Sequence, residues 1–450
     1  MEEKMNREQL LSARPLKLFV RYVSLNVASM LGLSLYILAD TYFIANSVGS
    51  EGLTALNLVL PIYSAINGLG LMLGMGGATL YSLLLGGGDS EKGGRVFTRT
   101  AMATAVFAAL LAGAGFPSAY PLAELLGGTG QVLDYAGQYL QVIFAFSPAF
   151  LTNNLLVCFV RNDGNPNLSM AAMLIGSLSN IALDYVLVFP LGMGMFGAAL
   201  ATGLAPVLGI ITCSLHFLRG HSRFKFTRGG LQAGEVKKVF SLGLPSLVNE
   251  LSSGLVILAF NFVILSITGN TGVAAYGIVA NLALIAIAVF TGVAQGMQPL
   301  LSVYHGAGKK RRIRSVLRYG ILTALILGGL FYLIGFLFPD PIIAAFNRDG
   351  GPVLAATAKE GILLYFISFL PAGANLVFVS FFSSVAHPVP SFFLSISRGF
   401  LFVLPFLFIL STFWGLTGVW WCVPLAETLT FAAGLILLLW YRKKEGVPSV

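Results

Sequence analysis

A carboxylate stands at position 40, inside an apolar run that begins near Leu18 and ends in Tyr36-Ile-Leu-Ala-Asp40-Thr-Tyr-Phe-Ile-Ala-Asn46. An acid at membrane depth costs about 2.5–3.5 kcal/mol on insertion scales, so it marks a functional position by default. Tyr36 lies one helical turn away on the same face and can hydrogen-bond to Asp40. A second acid, Asp184, follows Asn180 by four residues, which places both on one helix face. Thr202 falls about two turns into the next apolar run, at a comparable depth. Asp40, Asn180, Asp184 and Thr202 can therefore form one oxygen-rich cluster. Two carboxylates in a low-dielectric site cannot both stay ionised cheaply, so they should hold a proton or a cation such as sodium between them. The competing structural role is a buried polar knot that fixes helix packing.

Three further charges lie deep in the second half of the chain: Glu250, Arg398 and Glu427. They suit either an ion pair among themselves or a site for a cationic substrate. No metal site or disulfide is expected, because Cys158, Cys213 and Cys422 lie in or beside apolar segments without paired spacing. The four histidines are scattered, which leaves no paired catalytic groups for a membrane-embedded enzyme.

The elements that must position these residues are membrane helices. Of 450 residues, 56% are hydrophobic and only 10% charged, with a mean hydropathy of +0.85. Soluble proteins carry roughly 25% charged residues. The 52 glycines suit closely packed membrane helices. Runs long enough to cross a bilayer fall at about 16–45, 53–85, 96–117, 135–160, 167–190 and 195–219. They resume at about 238–267, 272–303, 315–338, 355–385, 389–411 and 415–441. The expected fold is thus an all-α polytopic membrane protein of twelve transmembrane helices. It divides into an N-terminal six-helix bundle (1–219), a cytoplasmic linker (220–237) and a C-terminal six-helix bundle (238–450).

Basic residues set the orientation. With the N-terminus cytoplasmic, Lys4 to Arg21, Lys92 to Arg99, Arg161, Arg219 to Lys238 including Arg228, Lys309 to Arg318 and Arg442 to Lys444 all fall on the inner side. Only Arg348 and Lys359 are left outside, as the positive-inside rule demands. Both termini are therefore expected in the cytoplasm. The net charge of +9 belongs to these loops and not to a nucleic-acid surface. The basic run from His305 to Arg318 is suited to anionic lipid. The N-terminal residues lack the short apolar core and cleavage site of a signal peptide.

The halves repeat. A shift of 220 residues places Gly49 on Gly269, Gly52 on Gly272, Gly76 on Gly296, Ser82 on Ser302, Gly86 on Gly306 and Gly88 on Gly308. Six helices per half give both halves the same orientation, so a pseudo-twofold axis should run along the membrane normal, with the substrate path between the halves.

In these features the sequence resembles the multidrug and toxic compound extrusion (MATE) family, in its bacterial DinF-like or multidrug-pump branch. The resemblance covers nearly the whole chain. It rests on Ala39-Asp40-Thr41, Arg161-Asn-Asp163-Gly164-Asn-Pro166-Asn167, Asn180-Ile-Ala-Leu-Asp184 and Gly197-Ala-Ala-Leu-Ala-Thr202. It implies export of amphipathic organic cations across the inner membrane, in exchange for protons or sodium ions, by alternating access. It also implies no cofactor beyond the coupling ion, and Arg161, Asp163, Gly164 and Pro166 as a structural family motif. We expect a monomer in the lipid bilayer that handles small molecules and no nucleic acid. Family sodium sites in the second bundle would pair an acid on the seventh helix with one on the tenth. Glu250 matches the first, and the tenth helix supplies no acid at depth. No proline lies between Pro15 and Pro61, so bending of the first helix at a proline does not carry over. A flippase of lipid-linked or amphipathic metabolites in the same superfamily is the nearest alternative. Such flippases tend to line their cavity with cationic residues, whereas the deep charges here are mainly acidic.

Overall fold

The computed structural model describes residues 7–227, 232–346 and 351–445. Lys4, Arg228 and Arg348, three of the charges that set the orientation, lie outside the described residues. A short α1 (Arg7–Ser12) precedes α2 (Pro15–Ser47), which starts on a proline whose missing N–H would be unpaired there in any case. Then follow α3 (Ser50–Gly87), α4 (Ser90–Leu110), α5 (Phe116–Leu125), α6 (Gly130–Ala145), α7 (Ser147–Asn162), α8 (Pro166–Val188) and α9 (Gly194–Leu218). The second half holds α10 (Ala233–Gly306), α11 (Lys310–Leu337), α12 (Pro339–Phe346), α13 (Pro352–Tyr365), α14 (Phe369–Ser384), α15 (Pro388–Ile396) and α16 (Val403–Glu445).

Among the described residues twelve membrane crossings emerge once the breaks are read, with α13 and α14 together forming one over Pro352–Ser384. α10 turns at Gly269 (φ 65°, ψ −155°) and α16 at Gly415 (φ 56°, ψ −134°), so each is two crossings joined without a loop. α4 and α5 run on through a π turn at Leu111–Gly115, and α15 enters α16 through another at Ser397–Leu401. α6 and α7 meet at 51° and make one bent crossing. The third crossing starts at Ser90, ahead of the apolar run predicted over 96–117. Its polar first turns are held by Asp89, which accepts from the Lys92 amide at 3.1 Å, and by the Glu91–Arg95 pair.

The repeat is written into the backbone. Gly49 (φ 84°) matches Gly269 (φ 65°), and Gly88 (φ 91°) matches Gly308 (φ 66°), both at a shift of 220. Gly194 (φ 53°) matches Gly415 (φ 56°) at 221, and Gly164 (φ 87°) matches Ala386 (φ 60°) at 222. A paired hydrogen bond follows the last shift: Ser169 Oγ donates to the Val157 carbonyl (3.0 Å) and Ser391 Oγ to that of Val379 (2.7 Å).

Packing sorts the chain into two compact units, one on Ala28–Leu251 with Ser302–Lys309, the other on Pro15–Val27, Ser252–Leu301 and the chain from Lys310. Residues 15–27 therefore group with the second half and residues 233–251 with the first. In the first unit, the start of α10 lies hard against α3. A Cβ at Gly243 would sit 1.8 Å from the Met72 carbonyl oxygen, and one at Gly76 would sit 2.0 Å from that of Val239. Only glycine permits this approach, which brings Glu250 beside α3. Each unit has its own core. Tyr139, Leu140, Ile143, Phe150 and Leu151 fill part of the first; Phe260, Phe290, Ile362, Phe369 and Trp420 fill the second.

Candidate functional site

In the first unit, α8 turns Asn180 and Asp184 inward, and both are fully buried. With its amide oriented to suit its neighbours, Asn180 donates to Asp184 Oδ2 (3.1 Å) and accepts from the Thr202 backbone N–H (3.2 Å). This ties α8 to α9. Asp40, on α2, is 7% exposed and lies within electrostatic reach of Asp184. Tyr139 of α6 is buried alongside Thr202 and feels both carboxylates. Asp40 Oδ1, Asp184 Oδ1 and Thr202 Oγ1 are all buried without a hydrogen-bond partner. Unpaired buried polar atoms are costly, and two carboxylate oxygens beside a hydroxyl in one cluster point to a positively charged guest or a shared proton.

Tyr36 joins this neighbourhood differently from the expectation. It does not hydrogen-bond to Asp40; its hydroxyl lies 3.0 Å from that of Tyr63 on α3. One helical turn leaves it beside Asp40, but the facing α3 offers the better-aligned partner. Glu250 also departs from the expected grouping. It belongs to the first unit, where Asn67 Nδ2 donates to its Oε2 (3.1 Å) and Asn154 Nδ2 donates to Asn67 Oδ1 (2.9 Å). The reason is the glycine contact that seats the start of α10 on α3.

The MatE family profile matches residues 27–186 and 245–409, most of the chain. The chain belongs to the MatE family of membrane transporters. Curated relatives include the multidrug export protein MepA of Staphylococcus saprophyticus, 27% identical over 455 residues and 99% of each chain. MepA of Staphylococcus haemolyticus is 26% identical over 450 residues, covering 99% of this chain and 98% of its own. Among solved structures, an outward-facing multidrug resistance MATE transporter of the MOP superfamily superposes with a TM-score of 0.90 at 23% identity, over 98% of each chain. A MOP superfamily transporter from Pyrococcus furiosus, described by the reversed polarity of its binding pocket, gives 0.89 at 22% identity. Those two likenesses establish the shared fold of twelve helices in two bundles.

The Arg161–Asn167 turn of this MatE chain is a packed polar knot. Asp163 is fully buried and accepts from Tyr81 Oη (2.5 Å), His216 Nε2 (2.8 Å) and the Arg223 backbone N–H (3.0 Å). Gly164 supplies the positive φ, Asn165 caps α8 by accepting from the Leu168 amide (3.2 Å), and Pro166 opens the helix. Arg161 is buried with Nη2 against Met75 Sδ (3.2 Å). Phe97, Phe159 and Phe224 wall the knot.

In the second unit, Arg398 forks onto Glu427: Nη2 donates to Oε1 (2.8 Å) and Nε to both oxygens (3.1 Å each). Asn375 Nδ2 completes the shell, donating to Oε2 (2.7 Å) and to the Glu427 carbonyl (2.8 Å). The expected trio thus resolves into the pair Arg398–Glu427, while Glu250 takes Asn67. Arg398 sits in the π turn of Ser397–Leu401, an irregularity that rotates it inward.

The second half holds no copy of the acid cluster. At shifts of 220, 222, 222 and 221, Asp40, Asn180, Asp184 and Thr202 correspond to Phe260, Phe402, Phe406 and Val423. These four pack in or against the apolar core of the second unit.

Proposed function

We propose that the chain is a secondary active antiporter of the inner membrane, with cytoplasmic termini, that exports amphipathic organic cations in exchange for protons by alternating access. The observation that carries this reading is the buried Asp40–Asp184–Asn180–Thr202 cluster with its three unpartnered oxygens. Relatives that match over 99% of the chain are multidrug export proteins, which supports small organic molecules as cargo and a transporter in place of an enzyme. Organic cations fit the acidic character of the site. The charge pattern of the loops supports the orientation, and nothing in the cluster requires a second copy, so the working form is a monomer.

The coupling ion has to suit this donor set. Among the described residues there is no group of three or more His, Cys, Asp and Glu side chains placed to hold a metal ion. Two carboxylates, an amide and a hydroxyl are hard oxygen ligands of the kind sodium accepts, yet hard cations commonly gather about six oxygens. Here three are unpartnered, and the Asn180 oxygen already accepts from the Thr202 amide. A proton shared by the acid pair needs no such shell and fits better. Protonation removes charge from the pair and disfavours a bound organic cation, while deprotonation recreates the anionic site. Substrate and proton thereby exclude each other, which is the requirement for antiport.

The test is ethidium-induced proton release from detergent-solubilised protein between pH 6 and 8, with and without sodium. We expect release in the wild type, independent of sodium and lost in Asp40→Asn. An absence of release, with sodium-dependent displacement of ethidium, would overturn the proton assignment and make the cluster a sodium site.

A further inference from the structure

Asp40 and Asp184 are buried at 7% and 0% exposure, so a chain of polar groups leading to them offers protons a route. The polar residues nearby form a file. Four residues separate Asp40 from Tyr36 on α2, and four separate Tyr63 from Asn67 on α3, each about 6 Å of helix. α3 returns antiparallel to α2 after the turn at Gly49, so each step leads away from the Asp40 end. The hydroxyls of Tyr36 and Tyr63 stand 3.0 Å apart, and either can donate. Tyr63 lies within electrostatic reach of both Asp40 and Glu250. Glu250 closes the file, anchored by Asn67 at 3.1 Å and, through it, by Asn154. The five residues beyond Asp40 (Tyr36, Tyr63, Asn67, Asn154 and Glu250) are all half-buried, unlike the two acids they lead to.

We infer that Glu250 is the water-side proton station of the Asp40–Asp184 site, exchanging protons with it through the Tyr36–Tyr63 hydroxyl pair. The inference rests on the proton reading above. In the outgoing direction the Asp40–Tyr36 and Tyr63–Glu250 contacts, which are not hydrogen bonds in this structure, first close by side-chain rotation. Asp40 then gives its proton to Tyr36 Oη as Tyr36 passes its own to Tyr63, and Tyr63 passes its own to the Glu250 carboxylate. Three O–H bonds break and three form, both tyrosines end neutral, and one proton has moved from Asp40 to Glu250. Rotation of the two hydroxyls resets the pair. Glu250 then loses the proton to water. Asn67 keeps the carboxylate aimed at the file and, as an amide, does not take part in the transfer.

A hydrogen-bonding role in packing alone predicts different behaviour, and the rate of proton release separates the two. The measurement is stopped-flow release of protons on mixing full-length protein with ethidium, read with a pH dye. Glu250→Gln keeps the Asn67 contact, and Tyr63→Phe keeps the ring against Phe150. Each should release protons about 10²-fold more slowly than wild type, the scale of a lost proton-transfer group. The amount released should be unchanged, because Asp40 and Asp184 still hold the proton. Glu250→Asp should restore most of the rate, and Glu250→Gln with Tyr63→Phe should be no slower than the slower single variant. Full-rate release in both single variants would overturn the relay and leave the antiport reading standing. No release in wild type would overturn both. A reduced amount at normal rate would make Glu250 a storage site and also refute the relay.

Discussion

Glutamate 427 is the most informative residue to neutralise in the second unit. Arg398 is 11% exposed and Glu427 5%, and their pairing uses three donor contacts of 2.8–3.1 Å. Gln at 427 keeps an oxygen for Asn375 or for Arg398 but removes the compensating charge, leaving a guanidinium buried and unpaired. Breaking a buried pair in this way costs about 3–5 kcal/mol. The second unit has about two hundred residues, and a domain of that size loses roughly 2–4 °C per kcal/mol. The expected fall in midpoint is therefore about 6–20 °C. All three cysteines are buried, so a thiol-reactive dye reports unfolding directly. With Cys158 and Cys213 replaced by alanine, Cys422 alone reports the second unit. The double variant Arg398→Met with Glu427→Gln removes the stranded charge and should recover most of the loss, since an apolar replacement of a buried pair is often neutral. A Glu427→Gln midpoint within 2 °C of wild type would show that water reaches Arg398. A double variant as unstable as the single would refute the stranded-charge explanation.

Asp40→Asn should abolish ethidium export in cells at wild-type expression, as should Asp184→Asn, and the double variant should be little worse, because the two acids act as one unit. Full resistance in either single variant would remove that residue from the mechanism. Asp163→Asn should destabilise the first unit by about 3–5 kcal/mol, because the amide offers one acceptor and two donors where three donors converge. Labelling of Cys158 and Cys213 at lower temperature would show it. Ala386→Gly should raise stability by about 0.5–1 kcal/mol, the relief of a left-handed alanine less the added freedom of the unfolded chain, while Gly164→Ala should lower it by about 1–2 kcal/mol. Thermal midpoints of the two variants moving in the same direction would contradict this.

Helix number and the deep charges were legible because hydropathy and the cost of intramembrane charge are local properties of a sequence. The i,i+4 spacing of Asn180 and Asp184 likewise fixed a shared face. Partner choice was not legible, because it depends on contacts between helices far apart in the chain. Tyr36 pairs with Tyr63 instead of Asp40 since α3 faces it, and Glu250 joins the first unit because Gly76 and Gly243 let α10 reach α3. Asn67 and Asn154 could have been found as amides inside apolar runs, where polar side chains seek one another. Tyr139 carried no such signal, since a tyrosine in a membrane helix is ordinarily read as packing or interface. His216 and Arg223 converge on Asp163 from 53 and 60 residues away, and no local pattern announces that.

The contrast between the acids of the first half and Phe260, Phe402, Phe406 and Val423 at the matching positions has a bioenergetic consequence. On the proton reading, a chain with one acid pair stores at most two protons in each cycle. Exchanging one proton for one monovalent cation moves no net charge, so the pump draws on the pH gradient alone, about 1.4 kcal/mol per pH unit. That sustains a tenfold substrate gradient. Exchanging two protons moves one charge inward as well, adding about 2.3 kcal/mol for each 100 mV of membrane potential. One pH unit and 100 mV then supply about 5 kcal/mol, enough for a gradient of between three and four orders of magnitude. Had both halves kept their acids, four protons could have been spent on each substrate; apolar residues at the four matching positions cap the pump at two on that reading.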